Sequence, residues 1–229
     1  MSDMDAAEAS QGPPFRDRMD AGSRLGPQLA RLLALPDPVF LALPRGGVPV
    51  AAAMLESGAF PGASLDVLLV RKIGAPGHPE LGLGALAEGA EPVLDERLVA
   101  SLAVSAGDLA ARVAAERAEL SRRLVSYRSG PLPELAGRDV VLVDDGLATG
   151  GTARAAVQGV FARSAARVVV AVPVASPSAV RSLQAMRCDV VALRIPPDLR
   201  SVGSWYADFD QLSDAEVLDL LARHRRPAG

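Results

Sequence analysis

The residues best suited to chemistry lie in one run, Asp144-Asp145-Gly146-Leu147-Ala148-Thr149-Gly150-Gly151-Thr152. Two adjacent carboxylates repel each other and resist burial, so something must compensate them; sugar hydroxyls and a hydrated divalent cation both do so. The segment behind them supplies three glycines, two threonine hydroxyls and the predicted start of a helix. Glycines let backbone N–H groups approach an anion closely, and a helix N-terminus favours negative charge. Carboxylates for a ribose, then amides for a phosphate, is the layout a 5-phosphoribosyl group requires. A nucleotide-binding loop of the Walker type needs a lysine before its Ser or Thr, and no lysine precedes Thr152. A phosphatase built on an aspartyl nucleophile from Asp144-Asp145-Gly146 leaves Thr149-Gly150-Gly151-Thr152 without a role.

Three other places carry candidate groups. Pro44-Arg45-Gly46-Gly47 follows the first predicted strand and opens a helix, so Arg45, Gly46 and Gly47 can present amides to an anion; the alternative is a tight structural turn. Arg71-Lys72 ends the second predicted strand, and Lys72 is the one lysine in a chain whose other basic residues are arginines. Beyond it, residues 73–84 form a glycine- and proline-rich loop, in which His78 reads as a loop residue. Trp205, Tyr206 and Phe209 are clustered in a protein with 3% aromatic residues, suited either to stacking on a planar ligand or to anchoring the last helix.

The elements that must position these groups alternate. Short Val/Leu runs at 39–43, 65–70, 140–143, 168–172 and 190–193 read as strands buried on both faces. Helices are predicted over 48–57, 108–125 and 152–163, with helical segments in 15–35 interrupted near Gly26-Pro27. In the long helix, Leu109, Val113, Leu120 and Leu124 mark an apolar side. Asp108–Arg112, Arg112–Glu116 and Glu119–Arg123 are opposite-charge pairs four residues apart on its solvated face. The last helix starts at Ser213, with Glu216 completing a capping box. Strand–helix alternation predicts an α/β fold, a parallel twisted sheet flanked by helices. Residues 1–14 read as a disordered tail, 15–229 as a single domain, and 195–229 as a small C-terminal hood and helix.

Composition bounds the rest. A net charge of −3 gives no reason to expect nucleic acid or an anionic membrane. The lone Cys188 excludes an internal disulfide and reads as a buried structural thiol. No stretch approaches the ~20 apolar residues of a membrane span. The N-terminal residues are not those of a signal peptide, so the expected location is the cytoplasm.

Residues Val140 to Thr152 resemble the phosphoribosyl pyrophosphate signature of the type I phosphoribosyltransferases: four apolar residues, two acidic ones, then a threonine- and glycine-rich loop. The resemblance implies that family's fold. It also implies that Asp144 and Asp145 hold the ribose hydroxyls and reach Mg2+, and that Ala148 to Thr152 wrap the 5′-phosphate. Pro44-Arg45-Gly46-Gly47 resembles the pyrophosphate loop, Arg71-Lys72 the cationic pair that neutralises the leaving pyrophosphate, and residues 73–84 the mobile catalytic lid. The implied partners are phosphoribosyl pyrophosphate and a small-molecule acceptor, a nitrogenous base; homodimers are common in the fold. Enzymes acting on 6-oxopurines carry an aspartate where Ala148 stands, as the adenine and orotate enzymes do not. The whole chain is similar to a group of bacterial phosphoribosyltransferases defined by no acceptor. Two other classes stay open: a regulator that senses phosphoribosyl pyrophosphate or a nucleotide without turnover, and a sugar-phosphate phosphohydrolase.

Overall fold

Strands that are apolar on both sides need a layer of helices on each. In chain order the elements are α1 (Arg18–Leu32), β1 (Val39–Ala42), α2 (Gly47–Glu56), β2 (Ser64–Val67), β3 (Val70–Ala75), β4 (His78–Ala87), β5 (Val93–Leu94), α3 (Glu96–Ser101), α4 (Ala106–Tyr127), β6 (Asp139–Val143), α5 (Gly151–Phe161), β7 (Arg167–Val174), α6 (Pro177–Gln184), β8 (Asp189–Arg194) and α7 (Asp214–His224), with a 3-10 turn at Gly203–Trp205. They come from a computed structural model that describes residues 14–127 and 131–225. Of the tail expected at 1–14, all but Pro14 lies outside the described residues.

A five-stranded parallel sheet in the order β2-β1-β6-β7-β8 forms the centre. Alternate strand residues feed opposite layers, as the period of two requires. Phe40, Ala42, Val141 and Val143 pack with Leu25, Leu29, Met54 and Leu221 of α1, α2 and α7. Val39, Leu41, Val140 and Leu142 pack with Val157, Val160 and Leu183 of α5 and α6. The expected α/β architecture is therefore the observed one. Helix α7 begins with the expected capping box, Ser213 and Glu216 each bonding the other's backbone N–H. Among the described residues no helix is long and apolar enough to cross a membrane.

Three expectations are corrected. The Gly26-Pro27 pair does not interrupt α1, which runs through Pro27. Pro27 is exposed, so its missing amide donor falls on the solvent side, while glycines face α2. A Cβ on Gly22 would lie 2.2 Å from the Val50 carbonyl oxygen, and one on Gly26 2.8 Å from that of Met54. These glycines let two helices approach; they do not break one.

Residues 71–84 are not a loop. β3 and β4 pair antiparallel, with Val70 opposite Ala87 and Ile73 opposite Gly84, and β5 adds a third strand. The hairpin turns at Pro76-Gly77 and buries Ile73, Ala75, Leu83, Leu86 and Ala87. Apolar side chains on alternating positions outweigh the glycines, which fit a sheet wherever another backbone approaches closely.

In α4, Glu119 binds both Arg122 and Arg123, at 2.8 and 2.9 Å. Glu116 does not pair along the helix with Arg112 but meets Arg71 of β3 at 2.8 Å. That contact ties the helix to the small sheet.

Gly22→Ala should destabilise the chain by roughly 1–3 kcal/mol, the usual cost of forcing atoms into a packed contact. Pro27→Ala, on the exposed side of the same helix, should cost nothing. Urea unfolding midpoints of the two variants check this.

Candidate functional site

β1 and β6 are neighbours at the centre of the sheet, yet the helices that follow them, α2 and α5, cover opposite faces. Such a reversal opens a crevice beyond the carboxyl ends of the strands, where α/β sheets bind ligands. The Leu43 amide donates to the Val143 carbonyl at 2.8 Å, extending the pairing past both strands. Pro44-Arg45-Gly46-Gly47 and Asp144-Asp145 consequently leave the sheet side by side. A Cβ on Gly46 would stand 1.9 Å from Asp145 Oδ2, so only glycine permits this contact. The Pro44–Arg45 peptide is cis.

The acidic pair is largely shut off from solvent. Burial, and after it the charge of Asp145, push the Asp144 carboxyl well above the ordinary aspartate value. Its Oδ1 accepts from the Asp145 amide at 2.9 Å. Burial raises Asp145 too, opposed by the Arg18 guanidinium, whose Nε lies 2.9 Å from Asp145 Oδ2. The two side chains of this ion pair are 11% and 17% exposed. Arg18 also donates to the Asp210 carbonyl at 3.0 Å and stacks 3.8 Å above the centre of the Phe209 ring.

Residues 15–16 and 205–208 are joined by backbone hydrogen bonds, and Tyr206 packs between Phe15 and Phe209. The Tyr206 hydroxyl donates to the Asp145 carbonyl oxygen. Tyr206 and Phe209 pack against Phe15 and Arg18 at the start of α1, not against the last helix as expected of an anchor, and half-buried Trp205 packs against the same group.

The loop after the acidic pair is built as a cradle. Leu147 is buried and bonded to the neighbouring strand's exit through Val174 and Ser176, which fixes the loop's base. Gly150 sits at φ 74° as the N-cap of α5 and offers no side-chain cap. Among the described residues, no protein acceptor pairs with the amides of Ala148, Thr149, Gly150, Gly151, Thr152 or Ala153. Thr149, Gly151 and Thr152 are exposed. Six successive unengaged donors at a helix N-terminus have the geometry and field that suit an anion. The amides of Arg45 and Gly46 in the facing turn likewise have no protein acceptor among the described residues.

The other expected residues separate. Arg71 and Arg45 line one cavity of about 200 Å³, together with Pro44, Val70, Arg122, Arg123, Tyr127 and Asp214. Burial, then a hydrogen bond to Asp214, push Tyr127 up to about 12. The Arg45 guanidinium turns to the Leu212 carbonyl at 2.6 Å, away from the acidic pair. Lys72 points to the opposite face of β3 from Arg71, its stem lying over Gly82. His78 is exposed at the head of β4. Cys188 is the buried structural thiol expected of it: it donates to the Leu183 carbonyl, and burial pushes it up to about 11.

A second cavity of about 550 Å³ opens on the other side of the loop, between Ala148, the start of α6 and residues 197–200. Sequence reasoning missed that cavity and the Arg18 clamp. Among the described residues no three His, Cys, Asp or Glu side chains converge as a metal cage. Asp144 and Asp145 offer two carboxylates, which suits a cation that takes its remaining ligands from water and substrate.

The phosphoribosyl transferase domain family matches residues 24–192. Two Mycobacterium tuberculosis proteins, MT0597 and Rv0571c, whose names assign them as phosphoribosyl transferases without proof, are each 42% identical over 214 residues, 93% of this chain. The chain spans about half the length of these curated relatives, 47% of each. The crystal structure of TT1426 from Thermus thermophilus shares 46% identity and a TM-score of 0.78, covering 93% of this chain and 99% of that one. AQ2163 from Aquifex aeolicus, at 16% identity and a TM-score of 0.52, covers 83% of this chain and 85% of its own, and is alike in fold alone.

Asp144 carries a folded value above the ordinary 3.8, so its ionisation costs stability increasingly as pH rises from there through the raised value. Asp144→Asn keeps the acceptor for the Asp145 amide and removes that cost. The variant should melt higher at about pH 8 by roughly 2–4 °C, the shift that about 1 kcal/mol produces in a chain of this size. The gap should close as pH approaches 3.8, as thermal scans across pH would show.

Proposed function

The chain belongs to the phosphoribosyltransferase family, and from that premise we propose that it transfers ribose 5-phosphate from phosphoribosyl pyrophosphate to a nitrogenous acceptor, releasing pyrophosphate. One observation carries the reading: six unengaged amides from Ala148 to Ala153 follow directly on a buried acidic pair. The amides take the 5′-phosphate, and Asp144 and Asp145 take the ribose hydroxyls. Arg45 and Gly46 present their amides to the leaving pyrophosphate, with Arg71 nearby in the cavity they share.

In the transfer, an acceptor nitrogen's lone pair forms the bond to C1′ while the C1′–oxygen bond breaks. The electron pair leaves on pyrophosphate, and the acceptor's proton passes to solvent. Developing charge on the leaving group is met by donors already in place, so the protein contributes positioning and electrostatics rather than covalent catalysis. Mg2+ belongs to the proposal, held by Asp144 and Asp145 through water or the ribose hydroxyls; when bound it neutralises charge on the pyrophosphate. The acceptor stands in the cavity beside Ala148. The proposed setting is the cytoplasm and the proposed assembly a homodimer.

One observation favours a second reading, a sensor that binds without turnover. Arg71 is engaged by Glu116 and Lys72 faces away from it, so the two cations assigned to the leaving group do not converge.

Calorimetry with phosphoribosyl pyrophosphate and MgCl2 tests the shared part. Thr149→Asp, an exposed change that sets a negative charge among the amides, should weaken binding by about tenfold or more through like-charge repulsion. Unaltered binding in that variant, or no binding by the parent chain, would remove the proposed cradle. Pyrophosphate release across a panel of bases separates transferase from sensor.

A further inference from the structure

We propose that the acceptor is an acid: a nitrogen heterocycle bearing a carboxylate, which Arg181 and Arg200 grip in the cavity beside Ala148. The inference rests on the reading that the phosphoribosyl group occupies the loop from Ala148 to Thr152, and it adds the chemical class of the second substrate.

The cavity is built onto that loop. Ser176 is 8% exposed, and its hydroxyl donates to the Ala148 carbonyl at 2.6 Å while accepting from the Ala179 amide at the head of α6. One buried side chain thereby sets the phosphate loop and one wall of the cavity in fixed relation. The opposite wall is residues 197–200, which lead to Val202 lying against Gly146. At about 550 Å³ the space falls within the size range of small-molecule sites.

Its chemistry differs from that of the cavity on the leaving-group side. There, each arginine has a carboxylate partner: Arg45 with Asp214, Arg71 with Glu116, Arg122 and Arg123 with Glu119. Arg181 and Arg200 line the second cavity and, among the described residues, neither forms an ion pair. Asp198 is the acidic lining residue, so two guanidiniums face one carboxylate. The Ser176 and Ser178 hydroxyls lie 3.1 Å apart and bond each other, which leaves the guanidiniums as the main source of selectivity. Pro177, Pro197 and Leu199 supply apolar surface for a ring. A guanidinium fork matches a carboxylate better than any neutral edge of a heterocycle.

The test uses the full chain loaded with ribose 5-phosphate and Mg2+, which fills the sugar site without permitting turnover. Orotate is titrated against uracil and nicotinate against nicotinamide, so that each pair isolates the carboxylate. The carboxylated member of at least one pair should bind about tenfold tighter than its neutral counterpart. Arg181→Gln and Arg200→Gln, both exposed positions, should each remove most of that difference while leaving ribose 5-phosphate affinity unchanged. Should ribose 5-phosphate bind while neither pair shows a preference for the acid, or none of the four compounds binds, or both variants keep the preference, the acidic acceptor is wrong and the sugar site stands. Failure of ribose 5-phosphate and phosphoribosyl pyrophosphate to bind the parent chain removes the underlying reading instead.

Discussion

Asp144 and Asp145 occupy consecutive positions at the exit of the central strand, where Gly46 and Tyr206 crowd out the water that carboxylates prefer. Much of the surrounding architecture answers that difficulty. The start of α1 supplies Arg18, the connection between β8 and α7 supplies the Tyr206 hydroxyl and the Phe209 ring beneath Arg18, and the two segments are stitched together by backbone hydrogen bonds. Compensation is incomplete, since Arg18 bonds Asp145 and acts on Asp144 only through its charge, and the Asp144 carboxyl stays raised. A buried acid left partly unanswered is a place where ligand hydroxyls or a cation gain more than they would on a hydrated surface.

One space is lined by Arg45 of the turn beside Asp145 and another by Ala148 of the loop after it, and their electrostatics are of different kinds. On the side of β3 and α4 the positive charges are already neutralised by carboxylates of the protein, so an incoming anion has to displace them. On the side of α6, Arg181 and Arg200 have no carboxylate partner among the described residues. The loop after the acidic pair reaches the second of these spaces through Ala148.

How legible this was from sequence depended on how far apart the interacting residues lie. The segment from Val140 to Thr152 could be read because strand, acids, glycines and helix start follow one another without a gap. The clamp could not: Arg18 and Asp145 are 127 residues apart, and nothing about an arginine at a helix start announces its partner. Pro27 and the glycines of residues 74–84 were misread for a related reason. Glycine and proline signal a break by local preference, yet here Gly26 serves contact with α2 and the 71–84 glycines serve pairing between strands. Tyr206 shows the same limit, since only the fold decides whether an aromatic ring meets a ligand or a neighbour.

The β3–β4 hairpin has a consequence for motion. A disordered flap that settles over a substrate loses backbone freedom at each of its residues, and that loss weakens binding every time the site closes. Here the corresponding stretch is already paired strand to strand and bound to α4 through Arg71 and Glu116, so the ordering took place during folding. Any closing movement therefore starts from an ordered hairpin and has to carry its packing with it, rather than search among loop conformations.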